Sequence, residues 1–118
     1  MLKYVIVGSI VLSLGYLLTR GGSAASAAKA DEGRKLFAEG AVLLDVRTPE
    51  EYRAGHVEGA LNIPVQELEQ RLSELGQDKS KPVVIYCRSG RRSKAAQGIL
   101  EQRGFNKVLD IGPMPSWN

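Results

Sequence analysis

Short apolar runs alternate with helix-like segments through residues 31–118. The runs are AVLLDV (41–46), ALNIP (60–64), PVVIY (82–86) and KVLDI (107–111). Strands that are apolar on both faces are typical of a parallel sheet with both faces covered. The alternation therefore predicts an α/β domain with a small, mostly parallel sheet and helices on both faces.

Helix signals lie between the runs, at ADEGRKLFAEG (30–40), TPEEYRAG (48–55), VQELEQRLSELG (65–76) and SKAAQGILEQRG (93–104). Asp31 is a candidate cap for the first helix, and Thr48 followed by Pro49 is a helix-start signal for the second. In the third segment the apolar residues recur every three or four positions, which predicts an amphipathic α-helix that ends at Gly76. The fourth helix is predicted to begin at about Ser93.

The N-terminal segment has the pattern of a targeting sequence. After Lys3 the chain is uncharged over 4–19, and the small-residue motifs Ala-Ser-Ala and Ala-Lys-Ala follow Arg20. This pattern is typical of a cleaved secretory signal. A retained single-pass anchor over 4–19 is the alternative, and a buried core helix is disfavoured because small residues separate the segment from the rest.

The predicted organisation is a signal peptide or membrane anchor at 1–20, a small-residue linker at 21–30 and one domain at 31–118. In both favoured cases the domain is expected outside the cytoplasm, in the periplasm or cell envelope. We expect a monomer.

The net charge of +3 comes from the N-terminal segment. Lys3, Arg20 and Lys29 lie in the first 30 residues, where there is no acidic residue, and the remaining 13 basic residues equal the 13 acidic ones. Nucleic-acid binding needs a clustered excess of cations. The neutral domain is therefore not expected to bind nucleic acid.

Cys87 is the only cysteine, and it directly follows the apolar run 82–86. It has no partner for an internal disulfide, and with His56 as the only histidine a Cys/His zinc site is excluded. No metal or cofactor is expected. A structural cysteine in the core is the alternative, but the residues after it are polar and cationic, namely Arg88, Ser89, Gly90, Arg91 and Arg92. This favours a reactive thiol.

The loop after Cys87 has the composition of an anion site. Gly90 allows a sharp turn, and amides at the start of a helix, together with cations, stabilise a thiolate. A cysteine with an unperturbed pKa of about 8.5 is only about 3% thiolate at pH 7. His56 lies in a turn-rich stretch and is interpreted as structural rather than as a base. An activated thiolate of this kind suits an anionic electrophile, either a sulfane sulfur donor or a phosphate ester.

Two stretches together, LLDVRTPEEYRAGHVEGALNIP (43–64) and VVIYCRSGRRSKAAQGILEQRGFNKV (83–108), resemble the single-domain rhodaneses, a family of sulfurtransferases. They combine an Asp-Val-Arg strand end, a Gly-His-x-x-Gly-Ala-x-Asn-Ile-Pro run and a Cys-x-x-Gly-x-Arg-Ser loop. The resemblance covers nearly all of 31–112. It implies that Cys87 takes a sulfur atom from thiosulfate or a similar anionic donor as a persulfide and passes it to cyanide or a thiol.

The resemblance also implies roles for individual residues. The loop of Arg88, Ser89, Gly90, Arg91 and Arg92 would bind the substrate with its amides and side chains. Arg88 and Arg91 would attract the donor, and Arg92 matches the family's loop-closing arginine. Asp45 and Arg47 match Asp-Val-Arg and would support the loop, with Arg47 also a candidate substrate contact.

Two other functions remain as alternatives. A cysteine phosphatase or arsenate reductase has arginine where this chain has Ser93, and usually histidine where it has Tyr86. Arg92 comes one position earlier, and the shorter loop suits a sulfur atom better than a phosphate. A sulfur-carrier or protein-interaction module is the second alternative, although such modules often lose the cysteine.

The C-terminal tail departs from the family. It reads DIGPMPSWN, and its two prolines exclude the usual helix. We expect Trp117 to pack on the core rather than to act as a lid.

Overall fold

A computed structural model describes residues 21–117. The helices are α1 (Gly21–Ala38), α2 (Pro49–Ala54) and α3 (Arg91–Gln102), with two 3₁₀ segments at Val65–Gln70 and Leu72–Leu75. The strands are β1 (Val42–Asp45), β2 (Leu61–Asn62), β3 (Val83–Cys87) and β4 (Val108–Pro113).

The four strands form one parallel sheet in the order β2-β1-β3-β4. The register sets Asp45 of β1 opposite Tyr86, and Cys87 opposite Pro113 of β4. Because all strands run in the same direction, their carboxyl ends meet at one edge, where ligands bind in open α/β sheets. Cys87 lies at that edge.

Both faces of the sheet are covered, as the sequence predicted. Every residue of the central strand β3 is buried, because apolar clusters lie on both of its faces. One cluster includes Leu44, Ile85 and Leu100 of α3, together with residues of the 3₁₀ segments. The other includes Tyr86 and Leu36 of α1. The predicted α/β class with a parallel sheet and helices on both faces is confirmed.

The prediction of an α-helix over 65–76 is wrong, because this segment is not α-helical. The segment forms two 3₁₀ pieces that are separated at Arg71, and Pro64 begins the first piece without a side-chain cap. The apolar positions are nonetheless directed inward, since Leu68 and Leu75 are buried. Apolar spacing of three and four residues specifies the buried side, but it does not distinguish i→i+3 from i→i+4 hydrogen bonds.

The linker predicted at 21–30 is also helical. Helix α1 runs continuously through Gly21–Ala38, so Asp31 lies within the helix and does not cap it. Alanine has the highest helix propensity, and five of the ten residues in 21–30 are alanine. The predicted signal or anchor at 1–20 lies outside the described residues. Within 21–117, no helix is both long and apolar enough to cross a membrane.

The C-terminal tail packs on α1. Trp117 stacks with Phe37 at a centroid distance of 6.4 Å and lies against the apolar cluster that contains Ile111. This agrees with the expected core packing. The same helix approaches the sheet closely at Gly33, where a Cβ atom would lie 2.9 Å from Ile111 Cγ2 and 3.0 Å from Val84 Cγ1.

Candidate active site

The loop between β3 and α3 turns sharply around the Cys87 thiol. Gly90 precedes the first residue of α3 and has φ +91°, in the left-handed region that favours glycine. Helix α3 begins at Arg91, two residues before the predicted start. As a result, the loop consists of only Arg88, Ser89 and Gly90.

The Cys87 sulfur faces the protein interior, whereas the side chains of Arg88 in the loop and Arg91 at the start of α3 face solvent. Cys87 is 0% exposed and belongs to the apolar cluster beneath α3, while Arg88 and Arg91 are exposed. The thiol is thus as buried as a structural cysteine would be. Its polar contacts differ from those of a structural cysteine, because the amide of Gly90 donates to Sγ at 2.8 Å. One loop amide is therefore directed at the sulfur.

These contacts favour the thiolate. Burial raises the pKa of Cys87, but the Ser93 hydroxyl and the nearby backbone amides of Ser93, Gly90 and Ser89 outweigh it, and the pKa lies below its ordinary value. The main stabilising contributions are hydrogen bonds, whereas the sequence pointed to arginine charges as well. Electrostatic attraction between Arg92 and Cys87 is a smaller contribution.

Ser93 is a site residue that sequence reasoning missed. It is fully buried, and its Oγ lies 3.4 Å from Cys87 Sγ and 3.1 Å from the carbonyl oxygen of Gly90. With a neutral thiol, the S–H donates to Ser93 Oγ and the serine hydroxyl donates to the carbonyl. When Cys87 ionises, the hydroxyl can turn its proton to the sulfur. The sequence signal that could have identified Ser93 is a small hydroxyl residue in the first turn of the helix that follows the cysteine loop.

Arg92 pairs with α2 instead of projecting toward a substrate. Its two Nη atoms donate to the carboxylate of Glu51 at 2.7 and 3.0 Å. Glu51 also accepts from the Thr48 amide and so closes the capping box of α2. The Arg92 and Thr48 hydrogen bonds lower the pKa of Glu51 to about 2. The sequence did not identify Glu51 as a site residue, because its partner Arg92 lies 41 residues away.

Asp45 and Arg47 form a buried scaffold at the same sheet edge. Asp45 is 0% exposed and accepts from Arg47 Nε and Nη2 at 3.0 and 2.8 Å. Arg47 Nη2 also donates to the carbonyl of Gly55 at 2.7 Å, and its guanidinium lies 5.6 Å from the centroid of the Tyr86 ring. The hydrogen bond with Asp45 is the largest of the effects that raise the pKa of Arg47, so the guanidinium stays charged.

One nitrogen of Arg47 is left for a ligand. Within residues 21–117, Nη1 has no hydrogen-bond partner, unlike Nε and Nη2. The Arg47 side chain is 8% exposed, and it lines the cleft described below. The pairing with Asp45 agrees with the predicted supporting role of Arg47, and its role as a substrate contact stays a prediction.

A cleft of about 360 Å³ opens beside the loop. It is lined by Arg47, Glu51, Ala54, Arg88 and Met114. Arg88 directly follows Cys87, and Met114 directly follows Pro113, the sheet partner of Cys87. The structure thus brings Arg47 and Arg88 together in one cleft. Ser89 and Arg91 are exposed and do not line it.

His56 has structural contacts. Its ring stacks on Tyr52 at 3.6 Å, and its Nδ1 lies 2.8 Å from the Tyr52 carbonyl oxygen. It does not line the cleft. These contacts favour its interpretation as a structural side chain.

Fold and site together define a class of α/β domains, in which a cysteine lies in a short glycine-containing loop between a parallel strand and a helix, with a loop amide donating to its sulfur. Within that class, the chain belongs to the rhodanese-like domain family, whose family model matches residues 29–117.

Known relatives agree with this assignment. The chain is 42% identical over 69 residues to the Escherichia coli thiosulfate sulfurtransferase PspE, a match that covers 58% of this chain and 66% of PspE. It is 41% identical over 76 residues to the Bacillus subtilis putative sulfur carrier protein YrkF, covering 64% of this chain and 40% of YrkF. The chain thus spans less than two thirds of either curated relative.

A solved structure described as a rhodanese with anions from E. coli has the same fold. Its TM-score to this chain is 0.59 at 40% sequence identity. The match covers 62% of this chain and 86% of that one.

Proposed function

We propose that this protein is a sulfurtransferase that carries a sulfane sulfur atom as a persulfide on Cys87. The observation that carries the proposal is the contact of 2.8 Å between the Gly90 amide and Cys87 Sγ, in a loop whose amides and Ser93 hydroxyl favour the thiolate. Membership of the rhodanese-like family and the name of the relative PspE support it.

The proposed reaction has two displacement steps. In the first, the Cys87 thiolate attacks the outer sulfur of thiosulfate or a similar anionic donor, and the sulfur–sulfur bond of the donor breaks. Sulfite leaves with that electron pair, and Cys87 becomes a persulfide. In the second, cyanide or a thiol attacks the outer sulfur, and the thiolate of Cys87 is restored. Loop amides oriented before the reaction stabilise the negative sulfur in both states.

The cations have separate roles in this proposal. Arg88 and the free Nη1 of Arg47 meet the donor anion in the cleft, and Asp45 fixes the orientation of Arg47. Arg91 is exposed outside the cleft and contributes long-range attraction. Arg92 holds the start of α3 through Glu51 and does not contact the donor.

Mass spectrometry of the intact protein tests the proposal. Incubation with thiosulfate is expected to add one sulfur atom, and Cys87→Ser is expected to add none. With cyanide present, thiocyanate should form over many turnovers. Absence of both the adduct and thiocyanate would remove the proposal. A p-nitrophenyl phosphate assay addresses phosphatase activity, for which the loop is one residue too short.

A sulfur-carrier function is the second candidate. The 41% identity to YrkF, described as a putative sulfur carrier protein, favours it. A carrier would form the same adduct at Cys87, but it would keep its sulfur in the presence of cyanide or small thiols. Single-turnover adduct formation without thiocyanate production would therefore select the carrier.

We further propose that the domain works outside the cytoplasm and that residues 1–20 direct it there. This rests on the uncharged stretch 4–19 and the small-residue motifs after it. N-terminal sequencing of the protein from soluble and membrane fractions tests it. An intact N-terminus in the soluble cytoplasmic fraction would contradict the proposal.

A further inference from the structure

A second cavity lies where three separate segments of the chain meet. It has a volume of about 260 Å³, and it is lined by residues of α1, of the segment between α2 and β2 and of the C-terminal tail, namely Arg34, Phe37, Ala38, Val57, Glu58 and Trp117. The three residues of α1 are spaced three and four positions apart, so they share one face of the helix. At roughly 30 Å³ for each water molecule, the volume corresponds to about nine waters, which is room for a small organic ligand.

This cavity is separate from the Cys87 site. Val57 belongs to the apolar cluster that contains Leu36 of α1, and Phe37 and Trp117 pack against the same cluster. Cys87 belongs to the other cluster. The cavity and the cleft beside the Cys87 loop share no lining residue among those that the structure describes. The proposed sulfur transfer therefore gives this cavity no role.

The two aromatic rings of the cavity are held in place by the protein itself. Phe37 and Trp117 stack at a centroid distance of 6.4 Å with an angle of 21° between their planes. Phe37 also lies on the backbone of Gly59, where a Cβ atom would come within 2.8 Å of Phe37 Cζ. Arg34 Nη2 donates to the carbonyl oxygen of Trp117 at 3.3 Å and so connects the tail to α1. Because both rings keep partial exposure, they offer a fixed aromatic surface on which a planar ring can pack.

The lining also contains one side chain of each charge. Arg34 and Glu58 are exposed, and neither forms an ion pair with another residue of the range 21–117. Within that range the Arg34 guanidinium donates only through Nη2, so further N–H groups are left for a ligand. The segment that carries Glu58 is fixed, because the amide of Val57 donates to Tyr86 Oη at 3.1 Å. A ligand that complements this lining carries one anionic group and one cationic group.

We propose that this cavity binds a small aromatic zwitterion, a molecule with one aromatic ring, one ammonium group and one carboxylate. The ring packs on Phe37 and Trp117, the carboxylate accepts from Arg34, and the ammonium group donates to Glu58. A free aromatic amino acid is the simplest member of this class. A ligand with a single charge would leave either Arg34 or Glu58 without a partner, and an inorganic ion would make no use of the rings. This binding site is additional to the proposed sulfurtransferase function and does not depend on it.

Tryptophan fluorescence tests the proposal directly, because the only tryptophan of the chain lines the cavity. The full chain is titrated with L-phenylalanine, which absorbs at shorter wavelengths than tryptophan. We expect a saturable change in the emission of Trp117 with a Kd of about 1 mM, the range expected for a ligand of about a dozen heavy atoms. Phenethylamine, which lacks the carboxylate, and 3-phenylpropionate, which lacks the ammonium group, should each bind about two- to fivefold more weakly. The difference should shrink as ionic strength rises.

Charge variants assign each ionic contact to one group of the ligand. Glu58→Gln is expected to weaken the binding of L-phenylalanine and phenethylamine by about two- to fivefold, without weakening that of 3-phenylpropionate. Arg34→Gln is expected to weaken the binding of L-phenylalanine and 3-phenylpropionate, without weakening that of phenethylamine. Glu39→Gln and Lys35→Gln are the matched controls, since both residues are exposed and lie outside the cavity lining. Neither control should change the affinity for L-phenylalanine by more than about twofold.

Three results would overturn this inference. The first is that L-phenylalanine, up to its solubility limit, changes neither the emission of Trp117 nor its own signals in a saturation-transfer NMR experiment with the protein. The second is equal affinity for L-phenylalanine and its two analogues, which would show apolar packing without recognition of the charges. The third is that Glu58→Gln and Arg34→Gln weaken all three ligands equally, because these side chains would then only support the shape of the cavity. Since thiocyanate formation is measured separately, the sulfurtransferase proposal stands in each of these cases.

Discussion

The guanidinium of Arg92 and the carboxylate of Glu51 form two hydrogen bonds of 2.7 and 3.0 Å, and they join the first turn of α3 to the capping box of α2. The loop that surrounds Cys87 is thus fixed at both ends, by the sheet at β3 and by this ion pair at α3. Both side chains are less than a third exposed, at 28% and 24%. The pair is shielded enough to contribute to stability.

Glu51→Gln is expected to lower the free energy of unfolding by about 1 to 2 kcal/mol at pH 7, because the charge of Arg92 loses its partner. The folded-state pKa of Glu51 is about 2, below the ordinary value of 4.5. Its contribution is therefore fully present above about pH 4.5 and is lost as the pH falls toward 2. Urea unfolding of both proteins at several pH values measures the difference.

The neighbouring residue provides a matched control. Glu50→Gln removes an exposed carboxylate that lies 3.7 Å from Arg53, and it should change stability by no more than about 0.5 kcal/mol. If Glu51→Gln and Glu50→Gln lowered the free energy of unfolding equally, the Glu51–Arg92 ion pair would contribute no more to stability than the exposed Glu50–Arg53 pair. A gap between wild type and Glu51→Gln that stays constant from pH 7 to pH 3 would contradict the low pKa.

Ser93→Ala is expected to raise the pKa of Cys87, since a hydrogen bond that favours the thiolate is removed. At pH 6 to 7 the reaction of Cys87 with iodoacetamide or thiosulfate should slow by about two- to tenfold, the range of one hydrogen bond. At high pH the two proteins should converge, because both thiols are then ionised. Ser73→Ala, at an exposed serine outside the loop, is the control. Parallel pH profiles for all three proteins would exclude this role of Ser93.

The order and class of the elements followed from the sequence because they depend on local patterns. An apolar run such as 82–86 is buried on both faces because helices cover both sides of the sheet. Thr48 caps α2 through hydrogen bonds to a residue in the first turn of the same helix. The 3₁₀ geometry of 65–75 did not follow, because the same apolar spacing satisfies two hydrogen-bond patterns. The helical state of 21–30 was missed because small residues suggested a linker, although alanine favours a helix.

For the candidate site too, the sequence identified the residues that are adjacent in the chain and missed those that are brought together by the fold. Cys87 and Gly90 were identified because a strand, a lone thiol and a glycine turn are adjacent in the chain. Glu51 was missed, since its pairing with Arg92 depends on how α2 and α3 lie in the fold. Met114 was missed as well, because its place in the cleft depends on the register that sets Pro113 opposite Cys87.

Two glycines in helices should respond oppositely to alanine. At Gly33 in α1, a Cβ would lie 2.9 Å from Ile111 Cγ2 and 3.0 Å from Val84 Cγ1, and both methyls belong to stiff β-branched side chains. Overpacking costs about 1 to 3 kcal/mol and exceeds the gain in helix propensity of up to about 1 kcal/mol, so Gly33→Ala should destabilise. At Gly98 in α3 nothing lies within 4 Å, and Gly98→Ala should stabilise by about 0.5 to 1 kcal/mol. Thermal unfolding of the two variants shows whether each substitution raises or lowers the Tm. Stabilisation by Gly33→Ala would show that α1 does not pack tightly against the sheet at this position.

The two exposed arginines beside Cys87 should differ in their effect on the donor. Arg88 lines the cleft, whereas Arg91 does not, so Arg88→Ala should raise KM for thiosulfate by about three- to tenfold and Arg91→Ala by less. Both effects should shrink at high salt, and the one at Arg91 should shrink first, because its attraction acts through solvent. Steady-state thiocyanate formation at two ionic strengths measures them, with Lys107→Ala as the control for net charge. A larger rise in KM for Arg91→Ala than for Arg88→Ala would mean that the donor enters from the α3 side of the loop and not through the cleft.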